Sequence, residues 1–235
     1  MIAPVHAVRP DEPLVRVRDV FMTYREGGLE ARVLRGLSLE LPRGETTSLI
    51  GVSGSGKTTL LSVLAGLMRP ESGTVTFDGR ALHDLDDTGR ARLRARRIGV
   101  VLQSGNLIPF LTAAENVALA IELGGGPRPR ARARALELLD DVGLAGRADH
   151  EPRRMSGGEA QRVSVAMALA NDPELLLADE VTGQLDSASA RRVMEVIQGA
   201  WRDRGLTVLF VTHDGELAAR AQHRLRLHDG AVVAA

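Results

Sequence analysis

The chain of 235 residues is 44% hydrophobic and 26% charged, enough apolar material to bury a substantial core and too mixed for a disordered or fibrous class. Its 30 Lys+Arg balance its 30 Asp+Glu, so no global field pulls it onto nucleic acid or an anionic membrane. It has no cysteine, which excludes disulfides, thiol catalysis and thiolate metal sites and fits a reducing compartment.

The amino terminus, MIAPVHAVRPDEP, carries proline and charge where a signal peptide needs an apolar stretch, and residues 1–13 read as a flexible tail. No run reaches the roughly 18 apolar residues of a spanning helix, so a cytosolic chain without direct membrane insertion is expected. LVRVRDV alternates apolar with charged residues as a strand wetted on one face does, and LSLEL repeats the pattern, so the early strands read as antiparallel and partly exposed. TTSLI leads without a polar break into GVSGSGKTT, after which LLSVLAGLM reads as a helix halted by Arg69-Pro70. TVTFDG is a strand closed by an Asp-Gly turn. From roughly Asp84 to Asp149 the pattern is helical and rich in arginine, with GGGPRP as its clearest loop. ELLLADE and TVLFVTHD have the apolar continuity of strands buried on both faces, and the helical stretch between them predicts a parallel crossover unit. LRLHDGAVVA reads as a closing hairpin about Asp229-Gly230.

Lys57 is the only lysine in the chain. Gly51, Gly56, Lys57 and Thr58 match G-x-x-x-x-G-K-[ST] between a predicted strand and a predicted helix, the context this phosphate-binding loop requires. The glycines let backbone N–H groups and the helix N-terminus face one phosphate chain, and the loop from Gly51 through Ser53, Gly54 and Ser55 to Thr59 is the candidate binding surface. A compact ammonium on a flexible stem reaches the β and γ phosphates where a planar guanidinium would not fit. Further along, Asp179 and Glu180 end an apolar strand; the first carboxylate suits Mg²⁺ and the second suits polarising a water. Alone, the pair would read equally well as an acidic helix start. His213 follows the next strand at the edge where open α/β sheets place ligands, although a solitary histidine there is more often structural. In MSGGEAQR, Ser156 and Glu159 form a capping box, and Gly157 and Gly158 expose N–H groups at a helix N-terminus, a second surface suited to phosphate. Two such surfaces far apart in sequence can meet on one nucleotide if two subunits face each other head to tail.

In this order the motifs, and nearly the whole chain, resemble the ATP-binding subunit of ABC transporters. The resemblance implies an α/β fold of the P-loop NTPase type: a RecA-like parallel-sheet core with an antiparallel β lobe and a helical lobe over roughly residues 104–160, all within one ATPase domain spanning 14–235. It implies that Tyr24, the only tyrosine, stacks on adenine. GVSGSGKTT is then the Walker A loop, and Gln103 in VVLQSGNL the Q-loop glutamine that senses Mg²⁺ and the γ-phosphate and faces a transmembrane partner. MSGGE becomes the signature sequence, LLLADE the Walker B strand with Glu180 as catalytic carboxylate, Gln184-Leu185-Asp186 the D-loop and His213 the switch histidine. The implied cofactors are ATP and Mg²⁺, the metal on Thr58, Gln103 and Asp179, with Asp186 and the Ser156–Gly158 segment completing the nucleotide site. The implied partners are a second copy of the chain on ATP binding and an integral-membrane permease met by NLIPFLTAAEN, which would place the protein peripherally on the inner face of the cell membrane.

Longer segments, among them LRGLSLEL, SGGEAQR and VTHDGELAARA, resemble the group of lipoprotein-release, macrolide-export and cell-division ATPases. The chain departs from that pattern at Met155 for leucine, Ala160 for glutamine, Val181 for proline and Gln184 for asparagine. Two alternatives stay open at this stage. One is a soluble ABC ATPase acting on DNA or the ribosome, whose members usually carry paired cassettes or a long coiled-coil insertion not seen here. The other is a regulatory module that binds ATP and scarcely hydrolyses it, which Val181 and Gln184 keep in play. RARLRARR and RPRARARA read as solvated helix faces rather than nucleic-acid contacts, and Trp201 as a packing residue.

Overall fold

The computed structural model describes residues 12–27, 29–103, 106–183, 185–213 and 215–234. The expected tail therefore lies almost wholly outside the described residues, as does Gln184. Strands β1 (Val15–Glu26), β2 (Leu29–Leu41), β4 (Ser72–Phe77) and β5 (Arg80–Ala81) form an antiparallel sheet in the order β2-β1-β4-β5. Alternation of Val15 and Val17 with arginines buries one face, and the ladder then slips between Val17 and Val20. Asp19 takes up the extra residue at φ 47°, its N–H donating to Ser38 Oγ at 2.9 Å in place of a ladder bond. Gly73 on β4 packs against this bulge, where a Cβ would lie 2.3 Å from Asp19 O.

The second sheet holds β3 (Thr46–Ile50), β6 (Ile98–Val101), β7 (Leu175–Asp179), β8 (Thr207–Val211), β9 (His223–His228) and β10 (Ala231–Ala234), ordered β10-β9-β3-β8-β7-β6. All its pairings are parallel except that of β10 with β9, the hairpin expected about Asp229-Gly230. Every residue of β7 and β8 is buried, which is why both segments read as continuous apolar runs.

Seven helices surround the sheets among the described residues: α1 (Lys57–Leu64), α2 (Asp87–Arg97), α3 (Ala113–Leu123), α4 (Arg128–Asp141), α5 (Gly157–Leu169), α6 (Ser187–Arg204) and α7 (Gly215–Ala219). The parallel sheet divides the core in two. Leu175 and Leu177 face α1 and the antiparallel sheet, while Leu176 and Ala178 face the cluster that α3, α4, α5 and α6 share. Arg97 ties the layers at their lower edge, bonding Asp78 and Glu174 at 2.5 to 2.7 Å with its guanidinium 4.8 Å over the Phe77 ring.

Three expectations need correction. Helix α1 ends at Leu64, short of Arg69-Pro70, because Gly66 at φ 64° takes the left-handed turn that stops a helix before proline is reached. The span from roughly Asp84 to Asp149, expected to be helical apart from the GGGPRP loop, contains strand β6, whose short IGVV run follows the arginine periodicity of α2 directly and is held by pairing with β7. The arginines of α2 do not form a wholly solvated face: Arg90 is buried, donating to Leu85 O at 2.8 Å and pairing with Asp87. Trp201 packs as expected, its Nε1–H donating to Gly44 O at 2.7 Å.

Residues 106–112, which lead into α3, are tethered by one buried side chain. Asn116, 2% exposed, accepts from Ile108 N–H at 2.7 Å and donates to Ile108 O, Leu111 O and Thr112 O at 3.0 to 3.1 Å. Replacing Asn116 by Ala strands these backbone groups and is expected to cost about 1–3 kcal/mol. Thermal unfolding checks this: a fall in Tm of several degrees is expected, roughly 2–4 °C per kcal/mol for a chain of this size, and an unchanged Tm would refute the tether.

Candidate functional site

Because β3, β8, β7 and β6 run parallel, the residues that follow them all open on one edge of the sheet. A cavity of about 550 Å³ lies there, walled by the Gly51–Thr59 loop after β3, Gln103 after β6, Asp179 and Glu180 at the end of β7, and His213 after β8. Tyr24 of β1 closes one side, half exposed, its hydroxyl 3.2 Å from Thr59 Oγ1 and 3.4 Å from Met68 Sδ.

The loop needs its glycines for space as well as for conformation. A Cβ at Gly51 would sit 2.6 Å from Leu227 O and 2.7 Å from Ser55 Oγ. Gly56, at φ 104°, lies against β2, 2.9 Å from Val33 O by the same measure. Gly56 is also the N-cap of α1, and no side chain caps that helix, so its first N–H groups face the cavity. Lys57 Nζ donates to Gly51 O and Val52 O at 2.9 Å each, arching over the loop. Ser55 Oγ is buried without a partner. Uncapped amides, an orphaned hydroxyl and a lysine together make a cradle for an anion.

The carboxylates stand opposite. Asp179 is buried and accepts from Thr58 Oγ1 at 3.0 Å. Burial pushes its carboxyl above the usual carboxylate range and the Glu180 charge adds to this, while the Thr58 bond and the Lys57 charge oppose it. The next residue, Glu180, sits at φ 49°, a left-handed turn that releases the chain from β7. Its carboxylate accepts from Gln103 Nε2 at 2.8 Å and lies 3.2 Å from His213 Nδ1. The Thr58 hydroxyl, the Asp179 carboxylate and the Gln103 carboxamide are hard donors that could hold Mg²⁺. Among the described residues no group of three His, Cys, Asp or Glu could hold a metal by itself, so the donor set fits a cation that keeps water and phosphate ligands.

Ser55 is buried and off the cavity wall, and four further expected residues do not reach this cavity within one chain. Ser156, Gly157 and Gly158 begin α5, where Ser156 and Glu159 form the expected capping box in both directions. The Ser156 N–H holds the Glu159 carboxyl below its ordinary value. Asp186 caps α6, accepting from the N–H groups of Ala188 and Ser189 at 3.0 Å and from Ser189 Oγ at 2.7 Å, and these bonds hold its carboxyl down. Conversely, Val33 lines the cavity and no motif announces it. It arrives because β2 passes over the loop and is pinned there by the Arg35 N–H to Gly230 O bond of 2.9 Å.

The profile of the ABC transporter family matches residues 34–183, which span the loop, Gln103, the α5 start and the β7 carboxylates. The chain belongs to the ABC transporter family. Membership carries the chemistry of that family, ATP binding and hydrolysis in the service of transport. Among curated relatives, the cassette is 44% identical over 221 residues to the macrolide export ATP-binding/permease protein MacB of Syntrophobacter fumaroxidans, covering 93% of this chain and 31% of that one. The chain thus spans about a third of that relative. It is also 44% identical over 218 residues to the lipoprotein-releasing system ATP-binding protein LolD 1 of Caulobacter vibrioides, covering 92% of this chain and 93% of the relative. Among solved structures, the dimeric post-hydrolysis state of the ATP-binding cassette MJ0796 bound to ADP and Pi superposes with a TM-score of 0.89 at 38% identity, over 93% of this chain and 96% of that one. The α/β architecture of parallel core, antiparallel sheet and helices is therefore the ABC ATPase fold.

The buried Asp179 has a stability consequence. Its carboxyl titrates higher in the folded cassette than in the unfolded chain, so the folded state bears a penalty above that raised value and sheds it as pH falls through it. Asp179→Asn is expected to raise the Tm of the nucleotide-free protein at neutral pH, with the gain shrinking toward acid pH. Thermal unfolding across a pH series tests this, and a gain independent of pH would contradict it.

Proposed function

We propose that this ABC cassette binds MgATP in the cavity at the carboxyl edge of the parallel sheet and hydrolyses it as a head-to-tail dimer, driving a separately encoded permease. The carrying observation is the meeting, in one cavity, of an uncapped helix N-terminus and Lys57 with Asp179, Glu180 and His213. Lys57 and the loop amides from Gly51 to Thr59 hold the β and γ phosphates, and Tyr24 stacks on the base. Mg²⁺, held by Thr58, Gln103 and Asp179, neutralises phosphate charge when bound. Glu180 orients a water and takes its proton as the water oxygen attacks the γ-phosphorus and ADP departs; His213 steadies Glu180 and the γ-phosphate. Ser156, Gly157 and Gly158 of the partner subunit supply the second phosphate surface, with Asp186 beside it.

The position of the signature segment supports the dimer. Ser156 to Gly158 lie outside this chain's own cavity, and the similar cassette MJ0796 is dimeric by its description. The LolD relative, an ATP-binding protein by name, is covered over 93% of its length, and the MacB relative joins ATP-binding and permease parts in one name. Both support export or lipoprotein release, or mechanical work across a membrane, as the task of the complex. No helix among the described residues is long and apolar enough to cross a membrane. A peripheral place on the inner face of the cell membrane, through a permease, follows from this reading.

Phosphate release with MgATP tests the reading, with size exclusion reporting the oligomeric state. Glu180→Gln is expected to lower turnover by about 10²-fold or more, the usual contribution of a positioned base, while trapping an ATP-dependent dimer. Lys57→Ala is expected to lose both binding and dimerisation. A Glu180→Gln variant that turns over like the wild type would remove Glu180 from the mechanism, and wild-type protein that dimerises but never releases phosphate would favour the ATP-binding regulatory module.

A further inference from the structure

Tyr24 stands on a stretch of β1 that has lost its second neighbour. Strand β4 pairs with β1 only from Val15↔Phe77 to Phe21↔Ser72, so beyond Phe21 the described strand is half of a two-stranded ribbon with β2. Such a ribbon is marginal without further support. Its register also slips between Met22 and Thr23, which pair with Leu34 and Arg32 and pass over Val33. The support comes from Glu71, the residue just before β4. Its N–H donates to Phe21 O at 2.9 Å, and its carboxylate accepts from Thr23 Oγ1 at 2.9 Å and from Arg25 Nη1 at 2.7 Å. Glu71 thus holds the strand at residues 21, 23 and 25, on both sides of Tyr24. Arg25 carries the chain of bonds across the ribbon, its Nε–H donating to Glu30 Oε1 of β2 at 2.8 Å. The turn that ends in Glu71 also supplies Met68, whose Sδ lies 3.4 Å from the Tyr24 hydroxyl, with Thr59 Oγ1 at 3.2 Å on the same hydroxyl. A ring tied only at its tip can still swing with its strand. Glu71 removes that freedom at the base.

We propose that Glu71 is a positioning residue for nucleotide binding: it fixes the β1 ribbon so that Tyr24 presents its ring to the base. The inference rests on the proposed reading of Tyr24 as the base platform and adds the group that holds the platform in place. Glu71 does not line the nucleotide cavity, so its effect on a nucleotide passes through the strand it grips. Folding stability does not account for the arrangement. The Arg25 and Glu71 side chains are 63% and 34% exposed, and exposed ion pairs contribute little to folding. What bonds to residues 21, 23 and 25 do fix is the height and tilt of the residue among them. Tyr24 is itself 42% exposed, so packing alone does not hold its ring. A ring already in place binds a base without first losing its freedom, and this pre-organisation appears as affinity.

The test is calorimetric titration with ADP in the presence of Mg²⁺, since ADP carries the base and needs no turnover. Glu71→Ala is expected to weaken ADP binding roughly tenfold, a coupling of the size found between residues in contact, with little change in Tm. Added to Tyr24→Ala, it is expected to change the affinity of that variant by less than about twofold, because a residue that acts through Tyr24 has nothing left to act on. Glu71→Gln keeps an acceptor for Thr23 and Arg25 and is expected to recover most of the affinity. Thr23→Val with Arg25→Met removes the same side-chain bonds from the strand and repeats the test should Glu71→Ala fold poorly. ADP affinity unchanged by these variants, or a loss that adds in full to that of Tyr24→Ala, would overturn the role of Glu71 and leave the platform standing. ADP affinity unchanged by Tyr24→Ala would remove the platform and this inference with it.

Discussion

Parallel pairing of β3 with β8, β8 with β7 and β7 with β6 is the constraint from which the site follows. Parallel strands deliver their carboxyl ends to one edge, so loops far apart in the chain, from Gly51 to His213, meet there and hydrogen-bond one another. The register does the aiming. Asp179 pairs with Val211, so the β7 carboxylates and the Thr212-His213 turn arrive at the same height. Strands β7 and β8 hold this register because every residue in both is buried, and slipping by one would exchange the two core faces.

The cavity is crowded with groups that satisfy one another. Lys57 rests on loop carbonyls, Thr58 on Asp179, and Glu180 between Gln103 and His213. In the proposed reading a phosphate chain exchanges these bonds for its own, so that binding is a rearrangement of existing contacts. Ser55 Oγ and the first amides of α1 are the exceptions, donors held in readiness with no internal partner. Burying Asp179 costs folding stability and shields a carboxylate beside the proposed phosphate site, a stability cost of the kind functional sites commonly carry.

The departures from the family pattern divide by environment. Val181 is 3% exposed and joins the apolar cluster shared with α5 and α6, so the change from proline keeps an apolar side chain in the core. Met155 is partly buried against the same cluster, where a flexible thioether fills the place of leucine. Ala160, one turn into α5, leaves the capping box of Ser156 and Glu159 complete. Gln184 lies outside the described residues.

The sequence by itself determined the elements with strong local signals: the phosphate loop, the buried strands β7 and β8, the capped start of α5 and the closing hairpin. Each is written in contiguous residues, as glycine spacing, apolar runs or cap-box pairs. It could not show where α1 ends, since Gly66 and Arg69-Pro70 are both stop signals and only backbone geometry says which acts first. Nor could it show β6, four residues whose strand character comes from pairing with β7 rather than from their own pattern. Tertiary structure alone brought Val33 to the cavity, buried Arg90, tied Arg97 to Asp78 and Glu174, and kept Ser156 and Asp186 away from Lys57 in the same chain. Those outcomes depend on distances between residues far apart in sequence, which packing sets and local pattern does not encode.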